Sequence, residues 1–351
     1  MFRSSTARRV PGLEISGPTC GTRGRLRPMS YVIDHWAFDP FVILVAVIVL
    51  AEELGLARLR RRSSVERSRR RRINSIFFYV GLLALIIAVD SPVDYWSSRY
   101  FFVHMVEHLL IAFLAPVLLV AGAPWVPLAF ALPVRTRRRV GRFLLLGPLS
   151  QQLRALGRFI RNPWVAVLSF NAVMLIWHAP ALFDLSENNQ LAHVWLMHGS
   201  FMITGVLFWL QIIPSFPMRP SRGPVFQAGA IIATNVVMFL LAMSLSIFSS
   251  TSWYSIYAHQ PGIALSPFAD QQIGAAVLWI CGDFWAVPAL VIVFRRAMDQ
   301  GDSVSGTIDR LSGRTSTMSA EEFREARRQR LACAPEAESA SSPNTSVLGD
   351  T

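Results

Sequence analysis

Long apolar blocks, parted by short polar stretches, set the pattern of this chain. Seven of them are long enough, or nearly so, to cross a hydrocarbon core of about 30 Å at about 1.5 Å per helical residue. They run from Trp36 to Leu56, Ile73 to Val89, Tyr100 to Val120, Pro163 to Trp177, Val194 to Ile213, Phe226 to Phe248 and Ile273 to Phe294. The pattern therefore predicts an all-α fold: a polytopic integral membrane helix bundle of about seven transmembrane helices. The first block is the least clean, because Glu52 and Glu53 lie near its end beside an arginine-rich loop. The fourth is short and is expected to extend upstream. The stretch GAPWVPLAFALP at 122–133 is apolar but proline-rich, so it is expected to finish the third span or lie in the interface rather than cross again.

The polar stretches give the topology. Residues 58–72 hold nine arginines, 133–162 hold eight, and 214–224 hold Arg219 and Arg222. The alternate loops hold only Arg99. The rich side is expected to be cytoplasmic, which puts the N-terminus outside and the C-terminus, entered through Arg295 and Arg296, inside. A multi-pass protein with the lipid bilayer as its surroundings follows. The net charge of +12 comes entirely from arginine. In a soluble protein it would suggest nucleic acid, but the loop placement assigns it to membrane orientation, so no nucleic-acid partner is expected. Only 16% of residues are charged, against about 25% in soluble domains.

Three parts follow. Residues 1–28 form a polar basic tail with no apolar region of a signal peptide. Translation is expected to begin at Met29, where MSYVIDHWAFDP reads as a membrane-protein start. Residues 29–297 are the seven-span membrane domain, and 298–351 a cytoplasmic polar tail, largely disordered, with a short surface helix expected over 320–331. Cys20, Cys281 and Cys333 form no CxxC pair, which excludes thiolate metal clusters and structural disulfides as leading readings.

All seven histidines fall at the outer side or in the outer part of a span on that topology. His104 and His108 open the third block, His178 closes the fourth, and His193 and His198 open the fifth; His35 and His259 lie in outer segments. Four residues apart, His104 and His108 share a helix face and can bind one ion. His193 and His198, five apart, diverge by about 140° on an ideal helix, so they share an ion only if His193 sits at or before the helix start. Met105 and Met197 adjoin them with thioethers, and imidazole with thioether but no thiolate suits copper. Glu107, Asp90, Asp94 and Asp270 are acids near membrane depth, where ionisable groups are costly and become functional candidates. Plainer roles compete with these. His35 and His259 read as interfacial anchors, Asp90 and Asp94 as helix caps, Met105 and Met197 as packing, and Trp96 and Trp177 as aromatic-belt residues. Glu107 can orient an imidazole or face solvent. For the set of five histidines, metal or haem ligation is the favoured reading.

The segments SPVDYWSSRYFFVHMVEHLLIAFLAPVLLVAGAP, IWHAPALFDLSENNQLAHVWLMHGSFMITGVLFW and ADQQIGAAVLW resemble the multi-span CtaG family of cytochrome c oxidase assembly factors, the polytopic bacterial type and not the single-span copper chaperone of the same name. The resemblance covers about residues 30–297. It implies a role in building a haem–copper oxidase, with copper delivery to its active site and oxidase subunits as partners. His104, His108, His178, His193 and His198 match the family's histidines, and Asp270 its acidic position. The all-arginine basic complement fits a GC-rich genome such as an actinobacterium's.

These readings converge on a respiratory-chain assembly factor that is not an enzyme. It would hold Cu(I) on His104, His108, His193 and His198, with His178 nearby, in a site open to the outer surface so that the ion can exchange. Three rivals stand beside it. A haem protein would use two of the histidines as axial ligands. A di-metal oxygenase would need about eight histidines on the cytoplasmic side. A scaffold would bind oxidase subunits and no metal.

Overall fold

In the computed structural model of the protein, residues 40–60, 64–258, 260, 265–299 and 325 are described. The N-terminal tail, His35, His259, Cys20, Cys333 and the helix expected over 320–331 fall outside them, apart from Glu325. The described residues are helical, with no named strand among them. In chain order, α1 covers Pro40–Arg60, α2 Val65–Val89 and α3 Pro92–Ser97. Next come α4 (Phe101–Leu109), a π-helical turn over Leu110–Leu114, α5 (Ala115–Gly122), α6 (Trp125–Ala131), α7 (Val134–Leu146), α8 (Ser150–Ile160), α9 (Pro163–Trp177) and α10 (Pro180–Glu187). A second π-helical segment, Ala192–His198, runs into α11 (Gly199–Ile212), followed by α12 (Pro224–Ser246), a 3-10 turn at Ser255–Tyr257, and α13 (Pro267–Asp299).

Among the described residues, five stretches are long and apolar enough to cross a membrane: Val65–Ser97, Phe101–Gly122, Ala192–Ile212, Pro224–Ser246 and Pro267–Met298. A sixth is added if α8 and α9 form one broken span. The expected upstream extension of the fourth block is thus present but bent by 66°. The bend falls at Arg161 and Asn162, where Asn162 restarts the chain as an N-cap, its Oδ1 accepting from Trp164 N–H at 3.0 Å, with Pro163 in the first turn. The expected first span corresponds to α1, 21 residues long, which is not among these stretches. Segment 122–133 does not cross: α6 has seven residues, and the Arg58 guanidinium of α1 donates to its final carbonyls, Phe130 at 2.8 Å and Ala131 at 2.5 Å.

With lipid outside, helices associate by close packing rather than by a water-driven hydrophobic effect. Three glycines permit close approaches between helices, the tightest being Gly55 of α1, where a Cβ would overlap the Pro127 carbonyl oxygen of α6. A Cβ on Gly122 would lie 2.7 Å from the Phe78 Cβ and 2.8 Å from its backbone nitrogen, so α5 and α2 meet nearly backbone to backbone. A Cβ on Gly205 would lie 2.6 Å from the Ala112 carbonyl oxygen. That carbonyl belongs to the first π turn, and the turn has a local cause. Pro116 has no N–H to give to Ala112, four residues back, and its ring crowds that carbonyl. The helix widens by one residue there, immediately after the two histidines of α4.

A candidate metal centre of five histidines and two glutamates

Helix α4 presents His104, Glu107 and His108 at i, i+3 and i+4, on one face. All three are buried, as are His178, His193 and His198. The start of α4 is capped from elsewhere in the chain. Tyr100, its N-cap residue, makes no side-chain cap. Asp270 of α13 does so instead, accepting the Phe101 N–H at 2.7 Å and the Phe102 N–H at 3.0 Å. One turn along α13, Gly274 leaves room for the Phe101 ring, which a Cβ there would approach to 2.5 Å. Gln271 accepts the Trp253 N–H at 2.7 Å and donates to the Leu245 carbonyl at 2.8 Å, tying down the loop that carries Tyr254 and Tyr257. The DQ pair thus positions the centre rather than lining it.

The second histidine pair corrects an expectation. On an α-helix His193 and His198 would diverge, but Ala192–His198 is π-helical. Hydrogen bonds there run from i to i+5, so five residues make about one turn. The two rings lie 4.2 Å apart between centroids. His104 and His108 are also 4.2 Å apart, and cross-contacts join the pairs: His104 to His193 at 5.3 Å, His108 to His198 at 5.9 Å, and His108 to His178 at 5.5 Å. All five predicted histidines come together.

Hydrogen bonding assigns some protons. His178 Nδ1 faces the Met174 carbonyl at 2.6 Å. A carbonyl only accepts, so Nδ1 carries the proton and Nε2 keeps its lone pair; that Nε2 is buried without a hydrogen-bond partner. The Tyr257 hydroxyl donates to the Ser97 carbonyl at 2.9 Å, which leaves its oxygen to accept from His104 Nδ1 at 3.2 Å. The lone pair of His104 Nε2 then points at His108 Nε2, 2.7 Å away. His193 Nδ1 pairs with Glu187 Oε1, which also lies 3.6 Å from His104 Nδ1. Glu107 Oε1 sits 3.5 Å from His198 Nε2 and 4.0 Å from His193 Nε2. Neither Glu107 oxygen has a hydrogen-bond partner, nor has either nitrogen of His198, Nε2 of His193 or Nδ1 of His108. So many orphaned buried polar atoms in one place call for a bound group.

One ligand atom each from His104, Glu107 and His193 lies within 4.8 Å of the others, so small side-chain rotations would bring all three to about 2.0–2.2 Å from one ion. The residues present therefore fit a metal ion. Imidazole nitrogens with carboxylate oxygens suit copper, zinc, iron or nickel.

Other candidates take quieter places. Met105 is buried, its side chain beside Gly274, and the Met197 sulfur accepts from the Ser186 hydroxyl at 3.5 Å. Asp90 is the C-cap of α2, and Asp94 lies in the first turn of α3, whose N-cap is Ser91. Glu187 and Tyr257 were not among the predicted residues. Glu187 carried a signal: with Asp184, it is an acid in an arginine-free segment between two histidines. Burial raises the Glu187 carboxyl above its ordinary value, against the pull of His193. Asp184 instead holds the loop between α12 and α13, accepting from Ser255 Oγ at 2.5 Å and Ser255 N–H at 3.2 Å. The expectation of an open site also changes. His104 is fully buried and His193, the most exposed of the five, is only 9% accessible, because α10 and the Ser255–Tyr257 turn both contribute side chains to the centre.

Fold and site together define a polytopic helical membrane protein with a buried histidine–glutamate centre. Residues 53–300 match the family described as cytochrome c oxidase caa3 assembly factor, Caa3_CtaG, and the chain belongs to that family. It is 28% identical over 288 residues to the protein Mb0105 of Mycobacterium bovis and to MT0111 of Mycobacterium tuberculosis, covering 80% of this chain and 42% of each relative. It is 26% identical over 285 residues to ML1998 of Mycobacterium leprae, covering 78% and 41%. The chain thus spans about two fifths of the length of these curated relatives, all three described as uncharacterized. No solved structure matches.

Proposed function

We propose that this chain is a non-enzymatic assembly factor for a haem–copper cytochrome c oxidase, and that its histidine–glutamate centre carries copper to that enzyme at the outer face of the plasma membrane. Family membership supports the assembly role. The observation that carries the copper reading is the convergence of five buried imidazoles and two carboxylates with so many polar atoms unpartnered. Copper is cargo here. His104, His108, His193 and His198 would hold it as Cu(I), with His178 Nε2 as a further acceptor of the ion. Glu107 and Glu187 would offset its charge and orient the imidazoles. His193, on the more accessible side, would receive the ion. The oxidase subunit that takes it would dock at this end of the molecule, with the N-terminus outside and the C-terminus cytoplasmic.

The haem alternative is less favoured by the packing. Neighbouring imidazoles stand edge to face at centroid separations of 4.2–5.9 Å, closer than axial ligands on opposite faces of a porphyrin.

The test is metal analysis of the purified, detergent-solubilised protein after anaerobic Cu(I) loading, beside the His104→Ala/His108→Ala variant. About one retained copper in the wild type, lost in the variant, is the expected result. If neither retains copper while both remain folded, the copper reading fails and the scaffold reading takes its place.

A further inference from the structure

Asp283 lies sixteen residues from either end of α13, about 24 Å along the helix axis at 1.5 Å per residue. It is therefore near the middle of a span, far from the histidine centre at one end and from Arg295 and Arg296 at the other. It is also exposed. One carboxyl oxygen accepts from the Asn235 side-chain amide of α12 at 3.1 Å. Gly282 makes that contact possible, since a Cβ there would lie 2.8 Å from Asn235 Oδ1. Around this polar pair the surface is apolar: Trp279, Ile280, Phe284 and Val287 on α13 and Val236 on α12 are all exposed. A carboxyl group at mid-membrane depth is costly, and such groups nearly always face protein or water rather than acyl chains. Nothing in the oxidase-assembly reading uses this one.

We propose that Asp283 and Asn235 form an intramembrane docking point for a transmembrane helix of a different protein, one that presents an arginine, lysine or histidine at mid-membrane depth. Charge complementarity selects this occupant. A second copy packed about a two-fold axis would bring the same carboxyl to the same place. It would also have no cation to offer there: among the described residues of the five spanning stretches, arginines cluster near helix ends, as Arg67–Arg72 do in α2, and the histidines gather at the metal centre. A lipid tail offers no donor at all. A basic side chain from a partner helix would satisfy the second oxygen of Asp283, while the exposed Phe284 and Trp279 supply packing surface on either side.

The experiment places a photoreactive benzoylphenylalanine at position 284 of the full chain in its native membrane. After irradiation, the adduct is mapped by mass spectrometry, with Asp283 intact and in the Asp283→Leu and Asp283→Asn variants. The expected product is an adduct with another membrane protein, mapped to a spanning helix within one turn of a basic residue. Its yield should fall at least tenfold in Asp283→Leu and less in Asp283→Asn. Pairing Asp283→Lys with an acidic replacement of the partner's basic residue should restore it. Leucine suits a lipid-facing position, so Asp283→Leu should unfold at the same denaturant midpoint as the wild type, and a lowered midpoint with no adduct in Asp283→Asn either would count against the proposal. Adducts with lipid alone, with a second copy of this chain, or with a partner at a yield indifferent to Asp283 would each overturn it.

Discussion

Replacing Asp270 with alanine removes both acceptors from the first turn of α4 without touching any histidine. Two backbone N–H groups, on Phe101 and Phe102, lose partners at 2.7 and 3.0 Å. The Asp270 side chain is 3% accessible, so water does not readily replace it. A hydrogen bond to a charged group contributes about 1.5–3 kcal/mol net, and loss of an N-cap costs about 1–2 kcal/mol. These describe the same event from two sides and are not summed, which puts the Asp270→Ala cost at about 3 kcal/mol. Asparagine caps nearly as well as aspartate but gives up the charge facing the helix dipole, worth about 0.5–1 kcal/mol. Asp270→Asn should therefore cost about 1 kcal/mol. The assay is reversible unfolding in mixed micelles, read by tryptophan fluorescence. The expected equilibrium constants differ from wild type by about a hundredfold for alanine and less than tenfold for asparagine, at about 1.4 kcal/mol per decade. An alanine variant within 1 kcal/mol of wild type would refute the argument that α4 depends on a cap supplied from α13.

Gly205→Ala should destabilise the fold by about 1–3 kcal/mol, because its Cβ would meet the Ala112 carbonyl, a backbone atom that cannot rotate away; thermal unfolding in detergent checks this, and an unchanged midpoint would show that α11 and the π turn of α4 do not touch there. Copper retention should fall on acidification as ligands protonate. Since burial raises the Glu187 carboxyl, it takes up its proton at a higher pH than an ordinary carboxylate, so the loss should begin above the usual carboxylate range and Glu187→Gln should move its onset down; an unshifted pH profile would remove Glu187 from the centre. With the native cysteines replaced, Leu185→Cys on α10, 63% exposed, should react with an impermeant maleimide added outside intact cells, whereas Arg158→Cys on α8 should not, and the opposite pattern would invert the proposed topology.

Much of this was legible in the chain. The apolar blocks marked the spanning helices because lipid leaves the backbone no other way to satisfy its hydrogen bonds. The four-residue spacing of His104 and His108 gave their shared face directly. His193 and His198 were misread because the helical period was taken as 3.6 residues, and no proline or other local pattern marks the π-helical segment that carries them. The first π turn was more readable, since Pro116 follows Ala112 by four. Glu187 escaped because it lies six positions before His193, and only the fold of the short helix α10 brings it back. Asp270 was recognised as significant, but its partners lie 169 and 168 positions away, so its role as a cap could not be inferred from neighbours. The burial of the centre was hidden for the same reason: the segments that cover it are distant in sequence or too short to stand out.

The cap on α4 bears on the order in which this molecule is made. All five histidines of the centre have been synthesised by position 198, yet the carboxylate that fixes the start of the first histidine helix arrives with the last span, at position 270. A nascent chain halted after α12 would carry every imidazole of the centre without the cap that fixes the start of α4. Insertion of the final helix is then the step that matures the centre, so an incompletely synthesised copy in the bilayer would be a poor scavenger of stray metal.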